Sequence, residues 1–547
     1  MNYYNQPQDK RGTEPANPWH LLLPFFAGIL FTLAVFLGSR YFLARPGQIV
    51  GRPDKFTEAW NLINQYYVDT VNQDQLMQNA LTGMLQGLDP HSVYANAVDN
   101  KKEMESLEGA FDGVGIQFNI MNDTIMVVAT VSGGPSEKIG IKAGDRIVTV
   151  DKKNVANIGI NSDEVMKLLR GKRNSIVKVG IVRKGYKEVY QYEIKRDVIP
   201  TYSIDIAYMA APQIGYVKIN QFGGTTAHEF ADVLQTLTQK GMKKLILDLR
   251  GNPGGYLDAA IQVCDELLAS GNMIVYTEGM RMKSDPVFAT NYGHFETGEL
   301  VVLIDDFSAS ASEIVAGAVQ DNDRGTIIGR RSFGKGLVQR QFELPDMSTI
   351  RLTTARYHTP SGRCIQRDYK QGTDAYYQEV VRRYEHGEMD NADSIKPDKS
   401  LEYHTKKGRL VYGGGGVMPD IFVAMDRDSS INAFYYVANH SAIIEYAFNY
   451  TTQNSNQLRR QYPNEQAFIK GMVVSEEMYQ KFMDFFYDKS HAKKVVINNP
   501  SKAEIKLWLK ALIGRNLYQE KAYFPIINSS DKVILKALET LNQKSAI

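Results

Sequence analysis

Apolar positions change rhythm several times along the chain. Residues 21–39, LLLPFFAGILFTLAVFLGS, run without a charged side chain. As a helix that run reaches about 28 Å, close to the hydrocarbon thickness of a bilayer. Trp19 and Tyr41 close its ends, where interfacial aromatics belong. Arg40, Tyr41 and Phe42 follow in place of a small-residue cleavage site, so the reading is an uncleaved transmembrane anchor over 19–43 rather than a signal peptide. A polar tail, 1–18, precedes it. Residues 53–105 read as helical: Phe56, Ala59, Trp60, Ile63 and Tyr67 recur at three- and four-residue steps, then Leu76, Ala80, Met84 and Leu88. Gly87 and Asp89-Pro90 end that pattern.

From 106 to 197 the rhythm shortens to strand-like runs between glycine turns: GVGIQFNI, TIMVVATV, DRIVTVD, VKVGIVRKG and YQYEIKR. One helix, SDEVMKLLRG, interrupts them, with Ser162 predicted as its N-cap and Gly171 as its stop. Residues 198–425 alternate buried strands with amphipathic helices, the pattern of a layered α/β core. Within them, 371–407 is polar and charged and predicts a surface insertion. Residues 427–547 return to helical, aromatic-rich periodicity, a separate C-terminal helical domain.

Composition adds little to this picture. In 547 residues, 43% hydrophobic and 23% charged, Lys+Arg 63 against Asp+Glu 61 leave a net charge of +2. That excludes a disordered chain and gives no basic field for nucleic acid. Two cysteines, Cys264 and Cys364, supply neither a disulfide framework nor a zinc site. No metal or cofactor is called for. Charges around the anchor orient it ambiguously and, taken literally, against an exported C-terminal part: Lys10 and Arg11 precede it beside Asp9 and Glu14, while Arg40, Arg45, Arg52 and Lys55 follow.

Candidate chemistry concentrates in IDDFSASASEIVAGAVQDNDRGTIIGRRSFGKG, 304–336. A strand ends near Phe307 and a helix starts within residues 310–313. A hydroxyl at such a junction is exposed at the sheet edge and faces the free N–H groups of a helix start. Ser308, Ser310 and Ser312 all qualify, as do ordinary N-cap serines. His294 and His358 have no accompanying Ser/Asp pattern, so the base on offer is Lys335, flanked by Gly334 and Gly336. A lysine base must be neutral, which requires burial to pull its pKa well below about 10.4. The glycine loop of DLRGNPGGYLDAA, 248–260, could lend an amide from Gly254 or Gly255, beside that of Ala311, to an oxyanion. SFGKG lacks the spacing of a phosphate-binding loop. In FDGVGIQF, 111–118, the consecutive amides of Gly113, Val114, Gly115 and Ile116 can hold a carboxylate, and the strand after them can pair with an extended peptide.

SASASE, SFGKGLVQ, DLRGNPGG, LDPHSVY, TPSGRCIQ and VYGGGGVMPD, spread over roughly 53–425, together resemble the C-terminal processing peptidases, or tail-specific proteases, of peptidase family S41. The resemblance implies a ClpP/crotonase-like α/β protease core over 198–425, a PDZ domain over 106–197, flanking helical regions and a serine endopeptidase activity without metal or cofactor. It assigns Ser310 as nucleophile, Lys335 as general base, Gln339 as the residue that orients the lysine, and Ala311 and Gly254 as oxyanion donors. It makes Arg170 a link between PDZ occupancy and the active site, and places Asp321 at an acidic position suited to capping or packing. Substrates would be proteins with accessible C-termini. The enzyme would sit in the inner membrane as a single-pass protein, with its catalytic part in the periplasm or cell envelope. The helical regions are candidate surfaces for a homo-oligomer. Two rival classes remain at this level: a catalytically silent PDZ scaffold, and a crotonase-type acyl-transfer enzyme. The serine, lysine and glutamine together argue against the first, and the PDZ-like segment against the second.

Overall fold

The computed structural model describes residues 28, 30–33, 55–183, 185–186, 188–425, 432–490 and 493–543. The anchor expected over 19–43 lies outside them, apart from helical residues 28 and 30–33. Among the described residues no helix is long and apolar enough to cross a membrane. Residues up to Met77 form one unit, which holds the Lys55–Tyr66 helix with Phe56 stacked on Trp60. A second unit starts at Gln78 and holds everything below.

Helix α1 (Ala97–Leu107) starts at Asn96, whose side chain accepts from the Val98 and Asp99 amides. The PDZ-like region then builds a six-stranded antiparallel sheet. Its core is Ile125, Val127, Ile147, Val177, Val179 and Ile181. Its Ser162–Leu169 helix is capped by Asn161 rather than by Ser162. Asn161 and Glu164 exchange side-chain and backbone bonds in a capping box, which gives two orphan amides partners where Ser162 would serve one. Arg170, not Gly171, closes that helix.

The core of the second unit is a six-stranded sheet in simple order: β1 (Ile204–Ala211), β2 (Ile214–Ile219), β3 (Lys244–Asp248), β4 (Glu299–Ile304), β5 (Thr326–Gly329) and β6 (Ile421–Phe422). Only β1 and β2 are antiparallel; the others run parallel. Buried on both faces, β3 and β4 are continuous apolar runs, as parallel strands require. One face (Val217, Leu245, Leu247, Val302, Ile304) takes α2 (Thr226–Gln239), α3 (Leu257–Leu267) and α4 (Ala311–Asp321). The opposite face (Tyr216, Ile246, Val301, Leu303, Ile328) takes α5 (Lys532–Gln543) through Val533, Ile534, Ala537 and Leu541. The last helix of the C-terminal region is therefore a layer of the protease core, while Phe434–Ile526 form a helical cluster of their own.

In a second sheet the strand Thr349–His358 pairs with Leu337–Glu343 along one side, and on the other with Val93–Ala95 at its start and Met273–Gly279 at its end. The polar stretch 371–407 is more than a surface insertion. Its Thr373–Glu385 helix buries Tyr376 and Arg383, and the Arg383 guanidinium donates to the Ser332 carbonyl at 2.8 Å.

Candidate active site

After β4 the chain crosses the carboxyl edge of the sheet and turns into α4. Asp305 fastens this turn by accepting from the amides of Gly251, Phe307 and Ser308. The three candidate serines separate here. Ser308 is buried and donates to the Leu249 carbonyl at 2.8 Å; Ser312 is buried and donates to the Asn252 carbonyl at 3.0 Å. Ser310 faces a cavity of about 490 Å³. Its backbone, φ +56° and ψ −114°, lies where a side chain is disfavoured by about 1–3 kcal/mol, so its surroundings must hold it there.

Glu313 supplies much of that hold. It is completely buried in the first turn of α4. One carboxylate oxygen accepts from the Ser310 amide (2.9 Å) and the Lys335 amide (2.8 Å). The other accepts from the Gly334 amide (2.7 Å) and the Ser332 hydroxyl (2.5 Å). Burial pushes its pKa up, yet all four acceptor positions are filled by donors, an arrangement only the carboxylate satisfies. One side chain thus ties the main chain of Ser310 to that of Lys335. The signal in the sequence was the Ser-x-x-Glu spacing from Ser310 to Glu313, which otherwise reads as an ordinary helix start.

Lys335 lines the same cavity, and no histidine does. Its flanking glycines leave room for close packing. A Cβ on Gly334 would lie 3.1 Å from the Gly416 amide, and one on Gly336 2.8 Å from the Gln366 amide. Burial, then the nearby Arg351 cation, holds Lys335 below the usual lysine pKa; Glu313, Glu103 and Asp89 oppose that shift. Arg351 is itself paired with Glu103 of α1. Gln339 lines the cavity too, and its side-chain amide lies 3.5 Å from Thr353 Oγ1, which donates to Asp89 Oδ1. Asp89 also accepts from the amides of His91 and Ser92, so the LDPHSVY turn braces this wall. His91 beside it is held down to about 4 by burial and by the Lys335 cation.

Gly254, Gly255 and Ala311 also line the cavity. A Cβ at Gly254 would come within 2.8 Å of Ser310 Cβ, so glycine alone lets this loop approach the serine. The Gly254 amide, however, donates to Asn252 Oδ1 at 2.8 Å. The Gly255 and Ala311 amides have no acceptor among the described residues. The amides left without an acceptor beside Ser310 are therefore those of Gly255 and Ala311, whereas the Asn252 side chain occupies the Gly254 donor. The strand leading into the loop is locked from below. Arg250 donates to both oxygens of Asp248, and Asp248 also accepts from the Tyr216 hydroxyl.

In the PDZ-like region Gly113 pairs with Asp197, while Val114 and Gly115 donate from no amide to any described group. Ile116 starts an edge strand of that sheet. Arg170 pairs with Glu105 of α1 at 3.1 Å and lies over the Phe111 ring at 4.2 Å. Asp321 lies away from the cavity, in a fully buried ion pair with Arg363 at 2.7 Å.

A doubly covered α/β sheet carries Ser310 at a strained strand-to-helix junction, with an antiparallel domain ahead of it, and comparison with known proteins gives the class. Residues 213–374 match the model of Peptidase family S41, 113–193 a PDZ domain, 46–113 the Activating protease CtpB N-terminal domain, and 433–519 a Family of unknown function (DUF8443). The Carboxy-terminal processing protease CtpA of Bacillus subtilis is 34% identical over 355 residues, covering 63% of this chain and 75% of that one. The Carboxy-terminal-processing protease of Bartonella bacilliformis is 38% identical over 317 residues, covering 57% and 72%. Among solved structures, a photosystem II D1 C-terminal processing protease aligns at 24% identity and a TM-score of 0.35, covering 68% of this chain and 87% of that one. The chain belongs to the carboxy-terminal processing proteases of peptidase family S41, and is a serine peptidase with a PDZ domain.

Proposed function

We propose that this protein is a membrane-anchored endopeptidase that uses a Ser310/Lys335 dyad to cut proteins captured by their C-terminal tails. The observation that carries the reading is the shared cavity, in which Ser310, Lys335 and two unpaired amides meet while Glu313 ties both residues' main chains. Neutral Lys335 Nζ takes the Ser310 hydroxyl proton as Oγ attacks the scissile carbonyl carbon. The Gly255 and Ala311 amides receive the oxyanion. The lysine ammonium then protonates the leaving amine, and a water deprotonated by the same lysine releases the acyl group. Gln339, on the same wall, supports the lysine.

The PDZ domain is the tail receptor in this reading. Its unpaired Val114 and Gly115 amides suit a terminal carboxylate, and its edge strand suits an extended peptide. Arg170, which joins the domain to Glu105 on the helix that lines the cavity, relays occupancy. The uncharged run 21–39 is the anchor, and it sets the catalytic part in the cell envelope.

The test is cleavage of an unstructured protein by the full chain in detergent, beside Ser310→Ala and Lys335→Ala. Loss of roughly 10³-fold or more in both supports the dyad, and retained activity in either removes it. A reporter active only outside the cytoplasm, fused to the C-terminus, tests the orientation: a silent reporter refutes it.

A further inference from the structure

Tyr357 is 1% exposed and lies next to the end of the strand that carries Arg351 and Thr353. Its amide donates to the Gly336 carbonyl at 3.0 Å, fixing the residue beside the Gly-Lys-Gly turn. Its hydroxyl lies 2.5 Å from the Lys335 carbonyl oxygen and 3.1 Å from the Ser310 carbonyl oxygen. Glu313 grips the N–H side of the same two residues. Nucleophile and base are thus held from both ends of their peptide units, by one buried acceptor and one buried donor.

A phenol has a single hydrogen to give. The Ser310 carbonyl already accepts from the Glu313 and Ile314 amides at 2.8 and 3.0 Å, so the bond to Lys335 is the principal one and Ser310 takes the weaker share. Burial and the Glu313 charge raise the phenol's pKa well above its usual value, which keeps the hydrogen in place.

We infer that Tyr357 is a positioning residue for the reaction, its hydroxyl fixing the Lys335 and Ser310 main chains so that the lysine amine meets the serine hydroxyl. The inference rests on the dyad reading above. It has two separable consequences. Loosening the turn lowers turnover and leaves substrate capture, which is made elsewhere, unchanged. It also brings more water around Lys335. Burial is the first cause of the lowered lysine pKa, so hydration moves it up. The charges around Lys335, namely Glu313 on α4, Glu103 on α1, Arg351 on the Tyr357 strand and Asp89 with His91 on the bracing turn, stay where they are.

The experiment measures kcat and KM for Tyr357→Phe in the full chain from pH 6 to 10, per folded molecule, with an unstructured protein as substrate and Ser310→Ala alongside. We expect kcat to fall about 10- to 100-fold with KM within about twofold, and the acidic limb of kcat/KM to move to higher pH. A kcat within about threefold of wild type, or a fall with the limb unmoved, overturns the inference. If Ser310→Ala keeps wild-type activity, the dyad reading fails and this inference goes with it; a dead Ser310→Ala beside an unaltered Tyr357→Phe sinks the inference alone. Should Tyr357→Phe not fold, 3,5-difluorotyrosine at 357 replaces it. Its more acidic hydroxyl stops donating once ionised, so an added alkaline fall-off supports the role and an unaltered profile refutes it.

Discussion

At the scale of single residues, the site depends on donors matched to acceptors. Glu313 accepts four bonds and gives none. In Glu313→Gln an NH2 group must face two of those donors, and each buried donor left unpaired costs about 1–3 kcal/mol. We expect that variant to lose about 10²-fold or more in kcat and to melt earlier, measured by active-site titration with a serine-reactive probe and by calorimetry; wild-type labelling would contradict it. Arg351 acts through its charge. Its cation disfavours protonated Lys335, so Arg351→Met lets the lysine keep its proton to higher pH. Because only the neutral amine can act as base, the acidic limb of kcat/KM should shift upward. A downward shift would show that losing the partner of Glu103 matters in some other way.

Elements decide how closely these residues meet. The loop after β3 passes Ser310 so tightly that Gly254→Ala, at φ +101° and with its Cβ 2.8 Å from both Ser310 Cβ and the Ala309 carbonyl, should abolish labelling of Ser310 while leaving the secondary structure intact. Full labelling by the probe would contradict the close approach. The strands and helices of this core were legible because both periodicities are strong: β3 and β4 read as apolar runs and α2 and α3 as amphipathic stripes, while α4 is buried over its whole length. A hydroxyl at the strand-to-helix junction was legible, but the pattern left Ser308, Ser310 and Ser312 alike and only the family resemblance singled out Ser310; Lys335 stood out as a lysine between glycines. Tyr357, Arg351 and Asp89 were not legible. Arg351 and Tyr357 line the cavity and Asp89 braces it through Thr353, an arrangement set by the register of Thr349–His358 against Val93–Ala95, and no local pattern encodes a pairing across more than 250 residues. The 371–407 stretch misled for a related reason. Tyr376 and Arg383 are buried there inside a polar sequence, because Arg383 pairs with Glu379 and the Ser332 carbonyl rather than with water.

For the whole molecule, the distinctive feature is that the chain's last helix closes the protease core. Without α5 the sheet would present Tyr216, Ile246, Val301, Leu303 and Ile328 to water. Removing residues 529–547 should therefore give an insoluble protein rather than a trimmed enzyme, and Ile534→Ala alone should cost about 2–5 kcal/mol in urea unfolding. The start of α5 also reaches the site. Asp531 accepts from the Val533 and Ile534 amides as the cap of the helix, and its carboxylate pairs with Arg250 at 2.8 Å. Arg250 in turn grips Asp248 just before the loop of Gly254 and Gly255. Asparagine caps a helix as well as aspartate does, so Asp531→Asn keeps the helix and removes only the charge. If the C-terminal region helps to set the oxyanion loop, this variant should keep its unfolding midpoint within about 1 kcal/mol and lose several-fold in kcat, with KM unchanged. An unaltered kcat would confine α5 to covering the sheet. A fall in stability without a fall in kcat would give the Asp531–Arg250 pair to folding alone.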